Sequence, residues 1–249
     1  MPVRWLLIEI GNTHAKFAVS SGELIGKRRL RIPTRDFTAA TLAGACARIR
    51  FDRAILCSVV PRASRVVRRQ LGPGLIEVSA SSKLDFSLAG YRRAETIGAD
   101  RLANLAGALA AGIKPPFVAV DAGTATTFDV LDRDLVYRGG VIAPGSSMFT
   151  DYLHARAAQL PLVKANPRRP PSILGKSTRA AIAAAAVHGF RGMVRGIFSE
   201  IKAALGVSTL QIVASGGAAD WIGTGKAVRM TRDHDLTLRG MLAIARRNA

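Results

Sequence analysis

The chain has 249 residues, 49% hydrophobic and 21% charged, with 36 Lys and Arg against 17 Asp and Glu and a formal net charge of +19. Such a length buries a sizeable core, and this balance of apolar and charged residues excludes a disordered chain. The longest apolar stretches, such as residues 180–187, are too short to span a bilayer, so no membrane partner is expected.

In chain order, an apolar run over residues 5–8 enters a turn at Glu9-Ile10-Gly11-Asn12-Thr13 and leaves along residues 15–19, which carry Lys16. This is a β-hairpin pattern with an acid and a glycine at its tip. Ser21-Gly22 reads as a turn, and residues 28–32 as a short strand. The spacing predicts a helix over 38–49 with a threonine-rich start. Residues 54–60 form an apolar run ending at Pro61, the pattern of a buried parallel strand. A helix over 62–70 and a strand over 75–78 continue a strand–helix–strand rhythm, and a helix over 100–111 sets Leu102, Leu105 and Leu109 on one face.

The pattern restarts at Val118. An apolar run over 117–120 turns at Asp121-Ala122-Gly123-Thr124 and leaves through Thr126, Thr127, Phe128 and Val130. A strand over 137–145, bracketed by glycines, and a helical segment over 148–158 follow. Residues 160–172 are a proline- and arginine-rich connection to a long alanine-dominated helix over 178–205. Gly189, Gly192 and Gly196 on that helix permit close approach, within the chain or to another subunit. A strand over 211–214, a turn at Ser215-Gly216-Gly217 and a helix over 236–246 complete the chain.

The two acid-x-Gly hairpins carry the functional signal. A glycine at a hairpin tip lets the backbone approach a ligand, and successive N–H groups with threonine hydroxyls suit phosphate oxygens. Asp121 would then hold a cation rather than the phosphate itself. An acid-Gly-Thr turn also serves as a plain hairpin, and one copy alone leaves both readings open. The second copy, in the other half of the chain, resembles the design of the actin-like ATPase and sugar-kinase superfamily, in which phosphates are clamped by two such hairpins. The resemblance implies an α/β, duplicated actin-like (ribonuclease H-like) fold. Its two mixed-sheet half-domains, flanked by helices, are expected over residues 1–112 and 113–249.

Other chemistry is poorly represented. His14, His154, His188 and His234 are scattered without paired metal-ligand spacing, and no Gly-x-Ser-x-Gly elbow occurs. Gly175-Lys176-Ser177 resembles the tail of a phosphate loop, but the required upstream glycine position holds Arg169 or Pro170. The chain has two cysteines, Cys46 and Cys57, the latter within an apolar strand where an inert thiol is expected. With no secretory leader pattern at the N-terminus, the location expected is cytoplasmic. Arg62, Arg65, Arg68 and Arg69 share one predicted helical face, and Lys27, Arg28, Arg29 and Arg31 cluster. The remaining arginines are spread along the chain, aromatics are 6%, and no recognition motif is legible. A nucleic-acid partner is therefore not expected.

Six motifs in order tighten the resemblance: Glu9-Ile10-Gly11-Asn12-Thr13-His14-Ala15-Lys16, Ser58-Val59-Val60-Pro61, Gly98-Ala99-Asp100-Arg101, Asp121-Ala122-Gly123-Thr124-Ala125-Thr126-Thr127, residues 139–145 (GGVIAPG) and Ser215-Gly216-Gly217. Together they resemble the type III pantothenate kinases. That implies ATP-dependent phosphorylation of pantothenate, the first step of coenzyme A biosynthesis, by a homodimer using Mg2+ with ATP and a monovalent cation, potassium or ammonium. By the same resemblance, Glu9 to Lys16 (Ile10, Gly11, Asn12, Thr13, His14 and Ala15 included) and Thr124 hold ATP, and Asp121 is the monovalent-cation ligand. Asp100 is the base that takes the proton of the pantothenate hydroxyl, and Arg101 meets the pantothenate carboxylate. Gly98, Ala99, Tyr91 and Thr178 are further pantothenate contacts. Read without the family, Asp100 is an acid at a helix N-terminus, Tyr91 a core aromatic and Thr178 a helix cap.

The chain departs from the family pattern in carrying Glu9 for the usual aspartate, in lacking a proline-containing run before Gly98, and in placing Ser215 where threonine is common. Glu9 and the high charge motivate an alternative, a catalytically weakened homologue acting as a regulatory or nucleic-acid-binding protein.

Overall fold

The computed structural model describes residues 2–223 and 228–249. Its strands are β1 (Arg4–Ile10), β2 (His14–Ser21), β3 (Leu24–Ile25), β4 (Leu30–Pro33), β5 (Arg53–Ser58), β6 (Leu75–Glu77), β7 (Phe117–Ala122), β8 (Ala125–Leu131), β9 (Tyr137–Pro144), β10 (Leu210–Ser215) and β11 (Val228–Arg232). The α-helices are α1 (Ala39–Cys46), α2 (Pro61–Leu71), α3 (Ala99–Ala110), α4 (Met148–Arg156), α5 (Thr178–Ala184), α6 (Phe190–Ala204) and α7 (Leu236–Arg247). Strands β3 and β11 are additions to the sequence reading; β3 has two residues, too few to display a period, and β11 (VRMTR) carries two arginines and a threonine among its five.

Internal contacts divide the chain into two compact units. One comprises the residues up to Lys114 with Arg133–Arg138 and Asp235–Ala249; the other comprises Pro115–Asp132 and Gly139–His234. This grouping follows packing, whereas a cut at 112/113 follows chain order. It differs from that cut chiefly in returning α7 to the first unit.

The two sheets repeat one plan. Strand order is β3-β2-β1-β5-β6 in the first, with β4 also paired to β2, and β11-β10-β7-β8-β9 in the second. In each, an antiparallel hairpin (β1–β2 or β7–β8) continues into two parallel neighbours (β5 and β6, or β10 and β11). The fold is thus α/β and duplicated, with two mixed sheets.

In the first unit β1 is buried on both faces, which is why it reads as a continuous apolar run rather than an alternating one. Leu6, Ile8 and Ile10 pack with Phe17, Leu42, Leu56 and Val67, under α1 and α2. Trp5, Leu7 and Ile55 are buried as well. Helix α7 packs against β1 and β5, α3 packs against β5, and the two helices pack against each other. Their backbones nearly touch: a Cβ on Gly240 would lie 2.7 Å from the Gly107 nitrogen. At the same contact Thr237 Oγ1 donates to Asn104 Oδ1 at 2.8 Å, both residues buried.

In the second unit Val118, Val120, Phe128 and Val130 meet Phe190, Val194, Phe198 and Ile212. Phe128 and Phe198 make an edge contact with centroids 5.6 Å apart. The helix expected over 178–205 is interrupted by a π-helical turn at Ala185–Gly189, between α5 and α6. Gly189 there lies against Phe149, where a Cβ would stand 3.2 Å from the ring. Nothing of the described chain comes within 4 Å of a Cβ built on Gly192 or Gly196. Among the described residues no helix is long and apolar enough to cross a membrane.

Candidate active site

The first hairpin places Glu9 opposite Lys16 in register, and Lys16 Nζ donates to Glu9 Oε1 at 2.7 Å. The Glu9 side chain is 16% exposed and that of Lys16 40%. The longer acid therefore fits by reaching across the hairpin to the lysine. At the tip, Gly11 N donates to His14 O at 3.0 Å, and Thr34 supports the turn from behind. Thr34 Oγ1 donates to Gly11 O at 2.7 Å, and Thr34 N donates to Thr13 O at 2.9 Å. Ile10 and Ala15 are buried, while Asn12 and Thr13 are exposed, so the tip presents backbone and short polar side chains outward.

Strand β5 runs parallel to β1, pairing Ser58 with Ile10, and then enters α2. Ser58 Oγ accepts from Val60 N at 3.2 Å and from Ser64 Oγ at 2.8 Å, closing the turn before Pro61. This Ser58–Pro61 turn and the start of α3 line one cleft of about 670 Å3, with Ser58, Val60, Ser64, Thr96, Gly98 and Ala99 on its wall. Gly98 precedes the helix, and Asp100 lies in its first turn. Asp100 Oδ1 accepts from Arg101 N at 2.8 Å, which fixes the carboxylate. A Cβ on Gly98 would stand 2.6 Å from that same oxygen, so glycine is what gives the carboxylate its room.

Arg101 is buried, 7% exposed. Its Nη2 donates to the Tyr137 hydroxyl at 2.7 Å, and the Tyr137 ring stacks on Tyr91 at 5.3 Å and 28°. Arg101 and Tyr91, picked out by sequence, are thus joined by Tyr137, which was not. Its sequence signal is weak: one aromatic opening a strand.

In the second unit Asp121 pairs in register with Thr127 across the β7–β8 hairpin and with Ser215 on parallel β10. Two glycine motifs close around it. Gly145, at the end of the 139–145 run, donates to Thr124 O at 3.1 Å, and a Cβ there would collide with the Gly123 and Thr124 carbonyls. Gly216 has φ +89°, and its Cβ would lie 2.5 Å from Asp121 Oδ1 and from Ala122 O. The carboxylate of Asp121 is therefore held in a cradle that a side chain would fill. Thr124 is exposed beside it, and the buried Thr126 hydroxyl has no hydrogen-bond partner among the described residues. Thr178 is exposed at the first position of α5; the capping group is Ser177, whose hydroxyl accepts from Ala180 N at 3.2 Å.

The remaining candidates are structural. His188 and His154 bond the Pro171 and Leu160 carbonyls of the 160–172 connection at 2.8 and 3.0 Å. Cys57 is buried, and burial pushes the Cys46 thiol up, away from reactivity. On α2, Arg68 clasps Glu77 through two bonds of 2.6 and 2.7 Å; these bonds, with the charge of Glu77, raise its already high pKa. Among the described residues no group of three His, Cys, Asp or Glu is placed to hold a metal ion.

A family model described as type III pantothenate kinase matches residues 5–200. The chain is 40% identical to the type III pantothenate kinase of Akkermansia muciniphila over 237 residues, covering 95% of this chain and 96% of the other. It is 36% identical to that of Methylacidiphilum infernorum over 241 residues, covering 96% and 87%. Among solved structures, a Campylobacter jejuni protein provisionally described as a Baf family transcriptional activator superposes with a TM-score of 0.60 at 20% identity over 98% of each chain. A ROK family glucokinase from Streptomyces griseus gives 0.53 at 12% identity over 98% of each. At those identities the structures speak for the fold alone, and they place it among duplicated actin-like and sugar-kinase folds.

Proposed function

The chain belongs to the type III pantothenate kinase family, and from that premise we propose a role for each candidate residue. The reaction is ATP-dependent phosphorylation of pantothenate, the first step of coenzyme A biosynthesis. Phosphoryl transfer asks three things of the protein: an aligned γ-phosphate, neutralised charge, and an oriented, deprotonated hydroxyl.

The observation that carries the assignment is the start of α3. There a carboxylate fixed by its neighbour's N–H, with space preserved by Gly98, adjoins a buried arginine. Asp100 accepts the proton of the attacking hydroxyl, and the Arg101 fork takes the substrate carboxylate, with Gly98, Ala99 and Tyr91 shaping the pocket. The Glu9–Lys16 hairpin offers its tip backbone to ATP phosphates, and Lys16, held by Glu9, supplies positive charge. Thr124 adds a hydroxyl to the phosphates, and Thr178 one to pantothenate. Mg2+ accompanies ATP. Asp121, in its glycine cradle, would hold the monovalent cation, potassium or ammonium, whose charge would offset that of the phosphates.

A homodimer and a cytoplasmic location belong to the same reading. Supporting self-association, Met148 and Tyr152 of α4 are exposed beside an apolar cleft lined by Phe149 and Leu153. The regulatory alternative gains no support: Glu9 is accommodated in an ion pair, and the family match spans both hairpins.

The test is ADP release with pantothenate, ATP and Mg2+, comparing wild type with Asp100→Asn. A fall in kcat of about 10²–10⁴-fold with unchanged melting temperature is expected; undiminished turnover removes Asp100 from the role of base.

A further inference from the structure

We propose that Tyr137 is a positioning residue for substrate recognition: its hydroxyl sets the Arg101 guanidinium in the plane that receives the pantothenate carboxylate. The proposal rests on Arg101 having the role given above. A guanidinium recognises a carboxylate through a planar fork, so its orientation matters as much as its charge. An arginine on a helix does not fix that plane by itself, because its side chain turns about several bonds.

Three features supply the missing constraint. Arg101 Nη2 donates to Tyr137 Oη at 2.7 Å, with both residues buried. The guanidinium carbon also stands over the Tyr137 ring, 5.9 Å from its centroid, so ring and hydroxyl hold the group together. The tyrosine is itself anchored: Tyr137 N donates to Ser87 O at 2.9 Å, and Ser87 N donates to Leu135 O at 2.8 Å. That short ladder ties Tyr137 to the loop carrying Tyr91, onto whose ring it stacks. Tyr137 thereby couples two residues assigned to pantothenate, Arg101 through a hydrogen bond and Tyr91 through ring contact. A purely structural tyrosine would need only the ring; the buried bond to a charged group is what the hydroxyl adds.

Tyr137→Phe keeps the ring and deletes the acceptor. Losing a hydrogen bond to a charged group corresponds to about tenfold or more in binding. The KM for pantothenate should therefore rise about tenfold, with the KM for ATP little changed and the melting temperature lowered by a few degrees, the cost of removing a buried acceptor. The inhibition constant of the alcohol analogue, in which CH2OH replaces the carboxylate, should stay within about twofold, the span of ordinary surface effects. Equal weakening of pantothenate and the alcohol would overturn the proposal, because the ring or the fold would then be responsible. Arg101→Gln separates the premise from the inference. If it raises the KM for pantothenate while Tyr137→Phe does not, Arg101 binds the carboxylate without help from Tyr137 and the inference fails alone. If neither substitution affects pantothenate, the role given to Arg101 fails with it.

Discussion

The two hairpins share a sequence pattern and a strand topology, yet they are held in opposite ways. At the first, the glycine has room: a Cβ on Gly11 would come no closer than 3.8 Å to the His14 carbonyl. The acid is long and bound to Lys16 across the strands. At the second, the hairpin is boxed in by Gly145 and Gly216, and the short acid Asp121 stands against the Gly216 backbone. Glutamate is accommodated at position 9 because it has a cation to reach across the hairpin. An equivalent lengthening at 121 would meet backbone. One motif therefore serves in an open form and in an enclosed one, and the glycines needed for enclosure lie far from the enclosed hairpin in sequence.

Substituting the glycines should expose that difference most plainly. Gly216→Ala demands a positive φ of an L-residue and drives a methyl into Asp121, and should cost roughly 3 kcal/mol or more in denaturant unfolding. Gly11→Ala should leave unfolding within about 1 kcal/mol while raising the KM for ATP, since on the role proposed for this hairpin its Cβ would occupy space needed by phosphate. Comparable losses of stability at both positions would erase the contrast.

The acids sharpen the comparison further. Asp121→Asn should abolish the difference in turnover between potassium and sodium buffers without altering the KM for pantothenate; retained potassium dependence would locate the cation elsewhere. Glu9→Asp shortens the reach to Lys16 and breaks a half-exposed pair whose contribution to stability is about 0.2–1 kcal/mol. Its kcat should remain within about threefold of wild type, the kinetic equivalent of such a pair, and a larger fall would make the extra methylene a catalytic feature.

The smallest effect concerns Asp220, on the exposed surface of the second unit. The Arg168 fork, by hydrogen bond first and charge second, holds its carboxyl below the usual range. The pair therefore favours the folded state above the ordinary carboxylate pKa, and that contribution disappears as pH falls through the lowered value. Because the pair is exposed and screened, Arg168→Ala should leave the acid-unfolding midpoint almost unmoved. A clear upward shift of that midpoint would mean the pair is shielded from solvent.

Much of this protein is determined locally and can be read from the chain. The hairpins, the capped start of α1 at Thr38 and the Pro61 start of α2 depend on neighbours within a few residues, as does the carboxylate of Asp100 beside Gly98. Short-range sterics and hydrogen bonds leave a periodic or compositional trace, and the motif order carried the family resemblance. Other features have no local trace. The return of α7 to the first unit depends on Gly107 meeting Gly240, and the break of the long helix coincides with Gly189 meeting Phe149. Tyr137 is marked only by the arginine and tyrosine it touches, 36 residues from Arg101 in sequence. Contacts of that separation depend on packing, which can bring any two small or complementary residues together without a regular spacing. Sequence alone determined which chemical groups the chain carries and the short turns that present them; the tertiary structure decided which groups touch and which tyrosine the arginine bonds.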